Sequence, residues 1–470
     1  MNLKNFFKQA SLAVLAMSAL NATAGNIDAT TARMTANSFW KQKAATGKFK
    51  AASTADIKLA YTEKSSVSGN AFYVFNIDGG GWVIVAGDDY AKQVLAYGNT
   101  GNIDMNNMPS NMKAYLNMLK GQIETAQAYK GKTVPVKASK NRTVVEPLLK
   151  SSWGQGEPWN LLCPTNSLGQ RTSVGCAPLA MAQVMNYWKY PNEVSEISGY
   201  SGNYISLPAT TFNYDLILDQ YRYYDPVTGN PIIVDYTDEQ ANEVAKLSRY
   251  CGQACKSRYG NSGTSTGSYS YDQRDGFKTF GYNENLQLIG KDAFYYTDNS
   301  NDYTIDDWCA LICTELEAGH PIPYHDVWEG HAWVLDGVDV DGKFHMNWGF
   351  NGKFDGWYEI DALSFHPYGD DEIWDFSQSS NSGNQMVIGC YPYEGYVIPG
   401  GGDEPEVMTG DVNGDKTVSI SDVTALIDYL LSQDATSINL DAADVNGDHS
   451  VTISDVTALI DQLLSGNTNQ

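Results

Sequence analysis

The chain has 470 residues, 42% of them apolar and 12% aromatic, which at roughly 150 residues per domain argues for about three folded domains and excludes a single small module. Its formal charge of −24 excludes the basic footprint that a nucleic-acid-binding protein needs. Residues 403–470 carry 13 Asp and Glu against one Lys, about half of the net excess, so the C-terminal segment has a task of its own, and cation binding fits it best.

Residues 1–24 read as a secretory signal: Lys4 and Lys8 precede an apolar run from Ala10 to Leu20, and Ala22-Thr23-Ala24 has the small-x-small form of a cleavage site. The run is too short to anchor the chain, and no later stretch approaches 18 apolar residues. The sequence therefore predicts a secreted protein, extracellular or associated with a cell surface, with no transmembrane anchor. Seven cysteines leave at least one thiol unpaired. Cys251/Cys255 and Cys309/Cys313 lie four apart in helix-like stretches and read as small buried core thiols without the partners of a zinc site.

In chain order, AFYVFNIDGGGWVIVAGD (Ala71 to Asp88) predicts a two-stranded hairpin turning at Asp78 to Gly81. A helix follows near Met112 to Tyr129, and the basic stretch Lys130 to Arg142, lacking apolar periodicity, reads as an accessible linker. From Val144 to Pro399 helical patterns (Ala177 to Trp188, Asp238 to Cys251, Asp306 to Ala318) precede strand patterns (His331 to Val340, Lys343 to Trp348, Gly356 to Ile360, Met386 to Tyr391). Helices first and strands after predict an α+β domain. PGGGDEPE (Pro399 to Glu406) marks a second linker.

Beyond it, two 22-residue segments starting at Asp411 and Asp444 are identical at 18 positions. Oxygen-bearing side chains fall at loop positions 1, 3, 5, 9 and 12: Asp411, Asn413, Asp415, Ser419 and Asp422 in the first copy, Asp444, Asn446, Asp448, Thr452 and Asp455 in the second. The Thr417 and Ser450 carbonyls supply position 7. Calcium takes six to eight oxygens from a loop able to wrap it, which is what this spacing offers. Each loop runs into one amphipathic helix. Gly414 and Gly447 stand at position 4 instead of 6, position 12 is Asp, and no entering helix is evident, so an EF-hand is not the match.

All six histidines lie at or after residue 320, and His449 sits inside a calcium loop, so a Cys/His site must use one of the other five. Cys176 opens GCAPLAMAQVMNYWKYP. Pro178 is tolerable only in a first turn, which puts Cys176 at a helix N-terminus, where the macrodipole favours thiolate. His331 leaves an irregular Pro- and Gly-containing stretch for a strand, and Asn347-Trp348 follow a second strand: an Asn can hold the imidazole tautomer while a Trp excludes water. His325 and His345 remain alternatives to His331. Asp336 reads as a turn residue rather than a member of a triad.

This order resembles papain-like proteases, and WGQGEPWN (Trp153 to Asn160), GCAPLAMAQVMNYWKYP (Gly175 to Pro191), GHAWVLDG (Gly330 to Gly337) and FHMNWGFNGKFDGWY (Phe344 to Tyr358) are similar to the streptopain family of bacterial cysteine proteases. The resemblance implies an α+β inhibitory prodomain at 25–142 and a papain-like catalytic domain at 143–398. It implies Cys176 as nucleophile, His331 as acid/base partner, Asn347 as its orienter, Trp348 as shield and Gln155 as the side-chain donor of an oxyanion hole. Pro178 departs from the small residues the family places after its nucleophile. The duplicated loop and helix behind the 399–408 linker resemble a type I dockerin at 409–470, a small α-helical module implying two calcium ions and a cohesin-like partner. Together these imply a zymogen that cleaves protein or peptide substrates without a catalytic cofactor, its prodomain covering the cleft until the Lys137 to Arg142 region is cut. A different Cys-His acyl-transfer enzyme, such as an amidase or transglutaminase, and a non-catalytic docking protein stay open on the residues alone.

Overall fold

The computed structural model describes residues 25–44, 55–128, 134–135, 143–225, 230–293, 296–326, 330–360, 362, 365–366, 383–399, 409–414, 417–432, 438–446 and 451–465. The signal segment, the Lys137 to Arg142 region, nearly all of the 399–408 linker, Asp415, Asp448 and Ser450 lie outside the described residues. Contacts divide the chain into two compact units, Met1–Lys41 with Lys50–Tyr393, and Gln42–Phe49 with Glu394–Gln470. No described helix is long and apolar enough to cross a membrane.

The N-terminal segment starts with helix α1 (Ala29–Ala44). The Asp28 carboxylate accepts the Thr31 N–H at 2.7 Å, satisfying one of the free donors of the first turn. Ala32, Ala36 and Trp40, spaced by four, are buried. Strands β1 (Ile57–Lys64), β2 (Asn70–Ile77), β3 (Trp82–Ala86) and β4 (Val94–Gly98) form an antiparallel meander. The β2–β3 turn ends at Gly81, with φ +122°, and a Cβ there would stand 2.3 Å from the Trp40 ring, so the position needs glycine on both counts. Helix α2 (Ser110–Ala128) buries Met112, Tyr115, Leu119 and Ile123, one face at helical spacing.

The following part contributes helices α3 (Cys176–Trp188), α4 (Asp238–Ala254), α5 (Ser270–Thr279) and α6 (Ile305–Glu317), with strands β5 (Gln287–Gly290), β6 (Ile322–Asp326), β7 (His331–Val338), β8 (Phe344–Asn347), β9 (Gly356–Tyr358) and β10 (Asn384–Ile388). Thr237 and Gln240 close a reciprocal capping box on α4. All six strands join the N-terminal meander in one ten-stranded antiparallel sheet, ordered β1-β2-β3-β4-β9-β8-β7-β6-β10-β5. The seam is β4 on β9, with Tyr97 opposite Trp357 and Ala96 opposite Tyr358. One apolar core runs across it and contains Phe72, Ile84, Met112, Tyr115, Trp333, Leu335, Met346 and Trp348. Helix α3 is buried on nearly every side and packs on β7 and α4, meeting α4 through Met185 and Cys251 sulfurs 3.5 Å apart and Met181 and Cys255 sulfurs 3.4 Å apart. All seven cysteines are free, and all but Cys176 are buried.

Asp336 departs from the sequence expectation. It lies inside β7, fully buried, accepting the Leu149 N–H and a 2.6 Å contact from His345 Nδ1. The DG pair that suggests a turn instead sits at a register irregularity between Leu335 and Gly337.

In the C-terminal unit, helices α7 (Ile420–Ser432) and α9 (Ile453–Ser465) pack together, with the single-turn α8 (Leu440–Ala443) ahead of the second loop. Val412, Val418, Val423, Leu426, Ala443, Val456 and Leu459 form its core. The two repeats reproduce one local geometry: Asp422 accepts the Asn413 and Ser419 N–H groups at 3.0 and 2.9 Å, and Asp455 accepts those of Asn446 and Thr452 at 3.2 and 2.8 Å.

Candidate active site

Cys176 is the first residue of α3, and Gly175 before it has φ +96° and ψ 147°. A Cβ on Gly175 would approach Thr266 Cγ2 to 3.1 Å, so only glycine turns the chain into the helix so sharply here. Cys176 shares a cavity of about 450 Å³ with His331, Ala332, Gly330, His325, Asp326, Arg258 and the Gly267 to Tyr271 stretch. Its Sγ lies 4.0 Å from the Gly330 carbonyl oxygen. Burial pushes the thiol above its ordinary pKa, and the Ala332, Ala177 and Cys176 amides pull it back only in part, so the neutral thiol is favoured in this form.

His331, half-buried, starts β7 opposite Asp326. Alternation along the strand assigns Ala332 and Val334 to the α3 face and Trp333 and Leu335 to the core on the other side. Asn347 pairs with Val334, three residues beyond His331 and on the α3 face. It is buried there, accepting from Gln183 Nε2 at 3.3 Å and from the Gly349 N–H at 3.2 Å, and donating to the Ser151 carbonyl at 2.7 Å. These bonds do not include His331: Gln183 of α3, the Ser151 carbonyl and the Gly349 N–H occupy the Asn347 amide. Trp348 is buried 4.9 Å from Trp333 and 5.6 Å from Tyr115 of α2 (ring centroids), inside the core rather than over the cavity. Gln155 is half-buried, and its carbonyl accepts the Val174 N–H at 3.0 Å, which brings it to the chain two residues before Cys176.

Two constellations escape sequence reasoning. His325, one of the alternative histidines, is buried in the same cavity with Nε2 2.7 Å from Gln273 Oε1. Burial drives its pKa down to about 3, so it is neutral and donates to that oxygen. Gln273 Nε2 then donates to the Ala177 carbonyl at 2.6 Å, bracing the first turn of α3. Its members lie 52 residues apart, and no periodicity links them. The second is Asp336, His345 and Asp355. Burial alone would lower His345, but the Asp336 carboxylate, with smaller contributions from Asp355 and Glu146, offsets it and leaves the imidazole above its ordinary pKa. Asp355, half-buried, is raised to about 7 by desolvation, against the attraction of His345, and accepts the Trp348 N–H at 2.9 Å. Alternation of His345 and Asn347 on one strand is the signal that could have found this group. Both line a second cavity, of about 800 Å³, shared with the Asn99 to Asn107 segment.

The N-terminal segment does not plug the Cys176 cavity: among the described residues, all that line it belong to the later part of the chain. It acts from behind, with Tyr115 against Trp333, Trp348 and Tyr358, its hydroxyl donating to the Glu359 carbonyl. Lys92 pairs with Glu359 at 2.8 Å and the Tyr97 hydroxyl donates to Asp339 at 2.7 Å.

In the C-terminal unit the Asp422 and Asp455 side chains are fully buried, and among the described residues neither meets a basic group. Buried carboxylates that accept loop N–H groups and the Ser419 and Thr452 hydroxyls, with no basic partner among the described residues, fit a hard cation of calcium type.

Comparisons with known proteins agree with this architecture. Residues 24–123 match the Spi protease inhibitor family, 153–358 the peptidase C10 family and 409–464 the dockerin type I domain. Streptopain from Streptococcus pyogenes is 34% identical over 349 residues, spanning 69% of this chain and 82% of the relative. The thiol protease/hemagglutinin PrtT of Porphyromonas gingivalis is 27% identical over 382 residues, 77% of this chain but 42% of that protein. The solved prointerpain A fragment from Prevotella intermedia superposes with a TM-score of 0.56 at 27% identity, covering 72% of this chain and 99% of the fragment. The chain therefore belongs to the peptidase C10, or streptopain, family, a cysteine endopeptidase with a papain-like catalytic domain, an inhibitor-like prodomain and a type I dockerin domain.

Proposed function

We propose that this cysteine endopeptidase is secreted as a zymogen in which Cys176 is the nucleophile and His331 its acid/base partner. The single observation that carries the reading is the Cys176 thiol at the start of a buried helix, in a cavity it shares with His331. Once His331 reaches the sulfur, the imidazole takes the thiol proton and the thiolate attacks the scissile carbonyl carbon. The Cys176 N–H and Gln155 side chain hold the oxyanion, His331 returns the proton to the leaving amine, and water hydrolyses the thioester. Asn347 and Trp348 orient and shield that pair in the active form. Before maturation the thiol is protonated and faces the backbone flanking His331, which contributes to latency. Residues 25–142 leave by cleavage in the Lys137 to Arg142 region.

The dockerin domain binds two calcium ions, one in the loop from Asp411 to Asp422 and one in that from Asp444 to Asp455, and docks the enzyme on a cohesin-like partner outside the cell. The test is the protein from residue 25 onward, wild type beside Cys176→Ala, followed under reducing conditions for self-processing and casein hydrolysis. A wild type that shortens by about 13 kDa, the share of residues 25–142 in a 51.6 kDa chain of 470 residues, and digests casein, beside an inert variant, is the expected result. Equal behaviour of the two proteins overturns the assignment of Cys176.

A further inference from the structure

Arg258 stands in the wall of the Cys176 cavity, a position the proposed chemistry leaves without a role. It begins a short hairpin in which Arg258 lies opposite Gly267 and Tyr259 opposite Thr266. Thr266 fixes that hairpin to the entry of α3, its hydroxyl donating to the Ser173 carbonyl at 2.7 Å and its methyl lying against Gly175. The guanidinium carbon is 3.8 Å above the Tyr269 ring, and Nη1 donates to the Tyr269 hydroxyl at 2.8 Å. Tyr269 stacks on Tyr271 at 5.0 Å, and Tyr271 packs on Tyr296 at 5.6 Å. The cation is thus mounted on an aromatic shelf beside the nucleophile.

Arg258 is exposed, and among the described residues it pairs with no carboxylate. Nearby Asp272 is taken by Lys256 at 2.9 Å, and Asp326 is buried on β6. A guanidinium held against a ring has already lost much of its rotamer freedom, so a carboxylate can bind its remaining N–H groups at little further ordering cost. Such charge-assisted bonds are about twice as strong as neutral ones. A chain of net charge −24 offers acidic peptides no general attraction, so any preference for them has to come from a local cation.

We propose that Arg258, stacked on Tyr269, is a specificity-determining residue that binds an Asp or Glu side chain of the peptide substrate near the scissile bond. This rests on Cys176 being the nucleophile. The test uses the matured full-length enzyme and quenched fluorescent peptides in which one Glu or Gln is moved through the three positions on each side of the cleaved bond, in an otherwise uncharged sequence. At one position kcat/KM is expected to favour Glu over Gln about tenfold, the equivalent of about 1.4 kcal/mol. Arg258→Gln brings that ratio to about one, and Arg258→Glu makes Lys preferred over Glu at the same position. Wild-type cleavage of the Gln peptides with no Glu preference anywhere, or a preference that survives Arg258→Gln, overturns the proposal. If the wild type cleaves neither these peptides nor casein, the peptidase assignment of Cys176 fails first and this one falls with it.

Discussion

Tyr115 is the residue through which the prodomain should hold the catalytic domain most tightly, and its removal can be costed. Its ring lies 5.6 Å from Trp348, 5.7 Å from Tyr358 and 6.3 Å from Trp333, and its buried hydroxyl donates to the Glu359 carbonyl. Truncating a large buried aromatic costs about 3–5 kcal/mol. Tyr115→Phe keeps the ring and loses one buried hydrogen bond, about 1–3 kcal/mol. Both are measured in a Cys176→Ala background, which blocks self-processing, by urea unfolding followed through tryptophan fluorescence. All eleven tryptophans precede residue 394, so the signal reports the larger unit alone. The expected order of stability is wild type, then Tyr115→Phe, then Tyr115→Ala, and in the active background Tyr115→Ala also speeds maturation. A Tyr115→Ala protein within about 1 kcal/mol of wild type, below the range for such a truncation, would falsify the view that this contact holds the precursor together.

Three further outcomes are expected. Asp355 has its carboxyl raised from 3.8 to about 7, so its contribution to stability is full below about pH 4 and lost as pH rises towards 7. His345, also raised, loses its contribution in the same direction as pH climbs through its folded-state value. Asp355→Asn should therefore flatten the fall in urea stability over that range, and an unchanged slope counts against the assignment. Chelating calcium, or Asp422→Ala with Asp455→Ala, should unfold the C-terminal unit by about its whole marginal stability, seen as lost helical circular dichroism, while casein hydrolysis stays; loss of hydrolysis would break the separation of the two tasks. Asn347→Ala should lower kcat in the matured enzyme by about 10- to 100-fold, milder than loss of the nucleophile, and an unchanged rate refutes its orienting role.

Much of the architecture was legible because local signals agreed with the fold. Pro178 and the apolar run after it place α3 within a residue of its true start, and Gly79 to Gly81 mark the β2–β3 turn. The seam between β4 and β9 was not legible. Val94–Gly98 is only five residues, all buried, with no alternation of polar and apolar side chains, and partner choice between antiparallel strands distant in sequence leaves no periodicity to read. The separation of His331 from Asn347 was equally hidden. Residue types report what chemistry a site can do, whereas the partners that hold a side chain, here Gln183 and Ser151 for Asn347, come from 164 and 196 residues away in the chain. Asp336 misled because a DG pair means a turn in isolation and a buried strand irregularity in this sheet.

The continuous sheet also sets the order of events when the precursor is nicked. A cut between the two parts severs one covalent bond and leaves the β4–β9 hydrogen bonds, the Lys92–Glu359 pair and the Tyr115 contacts untouched. Scission and separation are thus distinct steps, each with its own rate, and the fragment's residence time rather than the cut defines the moment of activation. Once the fragment leaves, β9 becomes a bare sheet edge carrying Trp357 and Tyr358, a surface that pairs readily with other strands. Loss of the fragment therefore exchanges a covered β9 for an adhesive flank beside Trp357 and Tyr358.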